Sequence, residues 1–160
     1  MTNYFLVAIN HGIKLSQLAV LFTLAFEEEV VNKLRYIKII PEEEEDKVGN
    51  KFLCQLQKNP TPLFNFPEID KNFARGSVDS LDETLAHKVY YVENASGCNS
   101  LITGISPQLA RPYLYNWNRS IAATLKPEVI LVLNVEGLSV EQAADSLMAC
   151  LLYTSPSPRD

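Results

Sequence analysis

Residues Asn10–Gln17, "NHGIKLSQ", bring together the residue types that bind phosphate. The full phosphate-binding loop reads G-x-x-x-x-G-K-[ST]: backbone N–H groups wrap one phosphate, the lysine reaches the terminal phosphates and the hydroxyl holds magnesium. Here Gly12, Lys14 and Ser16 are the corresponding candidates. Ser16 takes the hydroxyl position, Leu15 the lysine position and Lys14 that of the second glycine. The stretch is also shorter than the full motif. On a regular helix Lys14 points about 100° away from the place the lysine needs. The residues alone leave two readings open, a reduced phosphate loop and a plain strand-to-helix turn.

Other candidates lie where later strands are expected to end. Glu93 closes "KVYYVE", where a magnesium-directing carboxylate would sit; capping the following loop is the alternative. His11 is a loop residue that could donate to a phosphate or simply face water. Cys98 would need a basic partner to act as a nucleophile, and the histidines are His11 and His87; a structural thiol is the simpler reading. Trp117 and Tyr113, four residues apart, read as core or subunit-contact side chains. Nothing in the sequence marks a catalytic residue or a metal site.

The elements that must position these residues alternate. Asn3–Ile9 is a nearly continuous apolar run, as expected for a strand buried on both faces of a parallel sheet. Leu15–Leu34 carries apolar residues at helical spacing, with Ser16 or Asn10 as a cap, and Tyr36–Ile40 is a second strand stopped by Pro41. Pro41–Asn50 is an acidic solvated turn, and "NPTPLFNFPEID" reads as an extended loop. A short helix over Ser77–Ala86, a third strand over Lys88–Asn94 and a glycine- and serine-containing loop over Ala95–Pro107 follow. Gln108–Leu125 reads as a helix with Pro112 near its first turn. Glu128–Asn134 is a fourth strand and the clearest buried one, and Val135–Ala149 is a loop and a helix opened by a Ser139/Gln142 capping box. This is an α/β domain: a parallel sheet with helices on both faces.

Composition narrows the class. Of 160 residues, 47% are hydrophobic and 21% charged, with a net charge of −5 and no basic cluster. That balance argues against nucleic-acid binding through phosphate neutralisation. Leu15–Phe26 is too short to span a bilayer, and the start has no charged region followed by an apolar one, so no membrane partner and a cytoplasmic location are expected. The last residues, "CLLYTSPSPRD", resemble a translation of the transposase adapter used in DNA library preparation. The expected division is therefore a domain over 1–149, truncated from a longer protein, and a non-native tail over 150–160. Cys54 and Cys98 are then the native cysteines, too few and too distant for a zinc motif or a disulfide framework.

Asn118–Gln142, "NRSIAATLKPEVILVLNVEGLSVEQ", resembles the middle of the dethiobiotin-synthetase-like domain that opens long phosphate acetyltransferases. Asn118, Ile121, Ala122, Thr124, Leu125, Glu128, Val129, Glu141 and Gln142 carry the likeness. "KVYYVEN" is similar to that family's "V-V-x-V-E-G" strand, with Glu93 on the acid and Asn94 on the glycine. The opening strand, loop and helix match in position and kind, and that family's loop often lacks the lysine. Residues 41–80 match nothing in it.

The resemblance implies a P-loop NTPase-like fold of the dethiobiotin-synthetase type with a degenerate phosphate loop. It implies a regulatory or oligomer-stabilising role in a homo-oligomer, with a small-molecule effector. Acetyl transfer between acetyl-CoA and phosphate would belong to a separate C-terminal domain. No cofactor is implied beyond weak nucleotide or anion binding. The alternatives are an ATP-dependent ligase of the dethiobiotin-synthetase kind and a stand-alone regulatory module of the same fold.

Overall fold

The structure, a computed structural model, describes residues 2–29, 34–41, 48–49, 51–52, 61–108 and 110–154. Four strands, β1 (Asn3–Ala8), β2 (Leu34–Lys38), β3 (Asn99–Thr103) and β4 (Glu128–Val132), form one sheet in the order β2-β3-β1-β4. Every pairing is parallel, including that of β1 with β4. The helices among the described residues are α1 (Leu15–Glu29), α2 (Phe66–Ala74), α3 (Val78–Ser96), α4 (Pro112–Leu125) and α5 (Val140–Thr154). None is long and apolar enough to cross a membrane.

Strand alternation divides the core in two. Leu6, Ala8, Tyr36 and Leu101 face α1 through Leu15 and Ala19. Phe5, Val7, Ile37 and Ile102 face α2, α3 and α4 through Ile69, Leu85 and Trp117. Helices thus cover both faces of the sheet. The chain leaves β1 for β2 with α1 on one face. It then returns through β3 and β4 with its helices on the other, the reversal that right-handed crossovers demand when the direction of travel changes. The connections of β1 and β3 cross opposite faces, which makes the carboxyl ends of these two strands the switch point where open α/β sheets bind ligands.

Polar bonds hold α4 in the second layer. Asn118 grips the Ile105 backbone with both ends of its amide: Oδ1 accepts the Ile105 N–H at 2.8 Å and Nδ2 donates to the Ile105 carbonyl at 2.7 Å. Asp82 of α3 accepts the Trp117 indole N–H at 2.7 Å and the Ser120 hydroxyl. Asp70 of α2 accepts from Arg111 and Tyr113 at the start of α4. Trp117 is a core residue, whereas Tyr113 is exposed and bonds Asp70.

Several elements differ from the sequence expectation. Lys88–Asn94 is helix, the second half of α3, and not a strand. Leu81, Leu85, Val89 and Val92 form one apolar stripe at helical spacing across the supposed boundary, so packing overrides the strand preference of "VYYV". Tyr91, 77% exposed, stands off that stripe. The third strand is instead Asn99–Thr103, inside the expected loop Ala95–Pro107. Within "NPTPLFNFPEID" residues 61–65 are loop, as expected, but the stretch from Phe66 on is the start of α2. Asn65 caps α2 by accepting the Glu68 N–H at 2.8 Å, and Pro67 fits the first turn because its missing N–H would have no partner there.

The expected helix Leu15–Leu34 is helix over Leu15–Glu29, and Leu34 opens β2. Ile39 and Ile40 lie just past β2, and both are buried. Glu128–Asn134, expected as the clearest buried strand, is half-buried over Glu128–Val132 and lies at the edge of the sheet among the described residues. The capping box is present: Ser139 Oγ accepts the Gln142 N–H at 3.2 Å and Gln142 Oε1 accepts the Ser139 N–H at 2.9 Å. The acidic run Glu42–Asp46 and Cys54 lie outside the described residues. Cys98 is half-buried, its thiol donating to the Ser96 carbonyl at 3.2 Å. α5 runs unbroken across the Ala149–Cys150 boundary; Cys150 lines a cavity together with Phe5, Val7, Val129 and Leu131, and burial pushes its thiol pKa up.

Replacing Asn118 with alanine leaves a buried N–H and a buried carbonyl of Ile105 without partners. The expected cost is about 2–4 kcal/mol, read as a lower urea midpoint at unchanged slope. Asn118→Asp, which keeps only the acceptor, should fall between wild type and alanine.

Candidate functional site

At the switch point, β1 runs on into residues 9–14 and β3 into residues 104–107. The first loop is tied to the end of β4, not wrapped round an empty centre. Asn10 and Asn134 form a reciprocal pair: Asn10 Nδ2 donates to the Asn134 carbonyl at 2.7 Å, and Asn10 Oδ1 accepts the Asn134 N–H at 2.9 Å. Asn10 therefore joins two strand ends and does not cap α1. The Ile9 N–H continues the β1–β4 ladder to the Val132 carbonyl at 2.8 Å, and the Ile9 carbonyl accepts the Tyr115 hydroxyl at 3.2 Å.

Gly12 turns the chain with φ of +83°, a conformation costly for side chains, and a Cβ there would stand 3.1 Å from Asn134 Nδ2. The next residues divide by burial. Lys14 is exposed. Leu15 is 5% exposed and belongs to the core facing α1. Ser16 is buried in the first turn of α1. The Gln17 N–H is satisfied by the Lys14 carbonyl at 3.1 Å. Gly49 rests on this same turn so closely that a Cβ on it would lie 2.5 Å from the Gln17 nitrogen.

The neighbouring strand β3 ends in Thr103, whose hydroxyl pairs with the Tyr36 hydroxyl at 3.1 Å. Gly104 donates its N–H to the Leu6 carbonyl at 2.8 Å. A threonine thus stands at the strand end nearest the first loop, where the sequence reading put an acid.

Glu93 is elsewhere. It lies in the last turn of α3, at the amino end of the sheet, so the structure brings Gly12, Lys14 and Ser16 together without it. The metal-directing reading rested on a strand that is helix, and it loses its basis. As a cap, Glu93 acts through its backbone carbonyl, which accepts the Gly97 N–H at 2.9 Å and the Ser96 hydroxyl at 3.2 Å. Burial pushes the pKa of its carboxyl up, opposed by the neighbouring Asn3 amide. His11 is exposed in the first loop. Among the described residues, no three histidine, cysteine, aspartate or glutamate side chains gather to hold a metal ion.

The Asn10–Asn134 pair was missed in the sequence. Its signal was an asparagine directly after each of two apolar strand runs, "VAIN" and "LVLN", the pattern of two strand ends stapled side by side. No protein-family model matches the chain, and no curated protein sequence matches it.

Asn10→Ala removes both bonds of the pair at a half-buried site. It should cost about 1–3 kcal/mol in stability and speed hydrogen exchange at the Asn134 amide. Lys14→Ala, at an exposed position, should stay within about 0.5 kcal/mol of wild type. Gly49→Ala should dislodge its segment from α1, read as faster exchange over the first turn.

Proposed function

We propose that this chain is a non-catalytic regulatory or oligomer-stabilising domain of the dethiobiotin-synthetase-like kind that opens long phosphate acetyltransferases, its first loop a remnant of a phosphate loop. The observation that carries this reading is the fate of the loop's side chains. Leu15, in the lysine position, is packed into the core facing α1, and the exposed Lys14 precedes the helix. A working loop needs a cation held over the terminal phosphates. Here the N-terminal dipole of α1 is what remains, and at an exposed site it is worth about 0.3–1 kcal/mol for an anion.

The fold supports the same reading. Parallel order with β1 at the centre puts the first loop at the switch point, where a phosphate site belongs. The Asn10–Asn134 staple then does mechanically what a bound phosphate would do electrostatically, holding the loop against a neighbouring strand. The domain can keep its shape with no ligand in place, as a scaffold must. Acetyl transfer would be the work of a separate catalytic domain in the same polypeptide.

Titration calorimetry with magnesium–ATP tests the proposal. Binding weaker than about millimolar, unchanged in Lys14→Ala, with no phosphate release, is expected. Micromolar binding abolished by Lys14→Ala would overturn it in favour of an ATP-dependent ligase.

A further inference from the structure

Among the described residues, β4 has the sequence of an interior strand and the position of an edge strand. Val129 and Leu131 pack against the core shared with α2, α3 and α4, and Ile130 and Val132 against the core facing α1. Strands apolar on both faces belong inside parallel sheets. Yet β4 ends the order β2-β3-β1-β4, and all four of these side chains are only half-buried. Exposed edges are usually blunted by a charge, a proline or a bulge, and Val129–Val132 carries none of these.

The backbone is open on that side as well. The Val132 carbonyl accepts the Ile9 N–H, so Val132 and, two residues back, Ile130 turn their backbone groups toward β1. By alternation Val129 and Leu131 turn theirs outward, where no described strand pairs with them.

α5 points to the same place. Cys150 lines a cavity with Asn116 and Ala122 of α4 and with Val129 and Leu131, so α5 lies on the same face of the sheet as α4. Ala143, Ser146 and Cys150 form its half-buried line. Beside that line, Val140, Leu147 and Met148 share an apolar stripe at helical spacing and are 87%, 38% and 63% exposed. On this face the chain has already crossed from β2 to β3 and from β3 to β4, each time toward the β4 edge. A right-handed crossover through α5 continues in that direction and sets the next strand outside β4. The 15 residues of α5, about 22 Å of helix, return the chain to the amino end of the sheet, where a parallel strand has to begin.

We propose that the outer edge of β4 is the docking site for one further strand, parallel to β4 and apolar on both faces, which the natural polypeptide supplies after α5. Its backbone would bond the outward groups of Val129 and Leu131. Its side chains would complete the burial of β4 on both faces and lie under the stripe of Val140, Leu147 and Met148. The six residues after Thr154, "SPSPRD", are not that strand: they offer no aliphatic or aromatic side chain, and their two prolines cannot donate to a ladder. A second copy of the chain is the poorer fit. Two α5 helices side by side would bring Glu141 and Asp145 of each toward those of the other, with no lysine or arginine on either helix to offset them. The assignment goes beyond the reading of the first loop and does not depend on it.

Amide hydrogen exchange tests the docking site in two forms of the protein. In the 160-residue chain, the Val129 and Leu131 amides should exchange faster than those of Ile130 and Val132, at rates independent of protein concentration. In the polypeptide continued by the codons that follow Ala149 in the source DNA, an apolar run of about 5–6 residues after the helix should protect both amides and raise the melting temperature. Protection of Val129 and Leu131 in the 160-residue chain at every concentration would overturn the proposal, because the edge would already be occupied. Protection that grows with concentration would overturn it in favour of a second copy. A stop codon directly after Ala149, or a continued protein whose Val129 and Leu131 amides still exchange freely, would overturn it as well.

Discussion

The structure depends on β1 being buried on both faces at once. Phe5 and Leu6 are each 0% exposed, one turned toward α3 and α4 and the other toward α1. Full burial of side chains of this size is worth about 1.5–3 kcal/mol each, and β3, with Leu101 and Ile102 in the two cores, is the other strand that takes part in two ladders. Buried on both faces, β1 lies between two parallel neighbours, β3 and β4. With parallel neighbours, each connection has to cross a face of the sheet, and the helices follow. The first loop lies at the switch point for the same reason: it leaves the central strand in one direction while β3 returns the chain in the other.

This explains which parts were legible in the sequence. α1 and α4 are marked by apolar residues at helical spacing, and β1 by a short apolar run of the kind that parallel sheets bury on both faces. The helix expected over Ser77–Ala86 is present as the first half of α3, but the region from Lys88 to Thr103 was misread because its signals are double. "KVYYV" alternates like a strand, yet Val89 and Val92 extend a stripe begun at Leu81 and Leu85. A local window sees the alternation; the stripe becomes decisive only when the sheet beneath it is known. With the third strand assigned to Lys88–Asn94, the real one at Asn99–Thr103 was left inside a loop, and Glu93 moved with the error from helix end to strand tip. β4 was misjudged in depth, not in kind: "EVILVLN" is as apolar as a central strand, and no sequence pattern says that no strand pairs its outer side among the described residues.

At the carboxyl end, a polar staple occupies the mechanical role of a ligand. A phosphate loop is shaped by N–H groups pointing inward at an anion, and without the anion those groups need other partners. In this chain the Asn10 side chain turns outward to Asn134, Gln17 bonds back to Lys14, and Gly49 closes over the first turn of α1. Each contact spends, within the protein, some hydrogen-bonding or steric capacity that a nucleotide would require. Loss of the loop lysine and gain of these contacts are therefore one change seen twice. A lysine at position 15 would have to leave the core that Leu15 fills, and its ammonium could not be buried there without a partner.

The two ends of the sheet thus differ in how completely their polar groups are paired. At the carboxyl end, where α/β proteins usually bind ligands, the Asn118 grip on Ile105, the Thr103–Tyr36 pair and the asparagine staple leave the strand ends tied to one another. At the amino end, Asn3, Ser100 and Glu93 keep unpartnered oxygens beneath the last turn of α3. A fully paired polar cluster rigidifies, because every rearrangement breaks a bond before making one. The carboxyl end comes nearer to that state than the amino end, although Gln108 Nε2, in the segment between β3 and α4, is buried there without a partner.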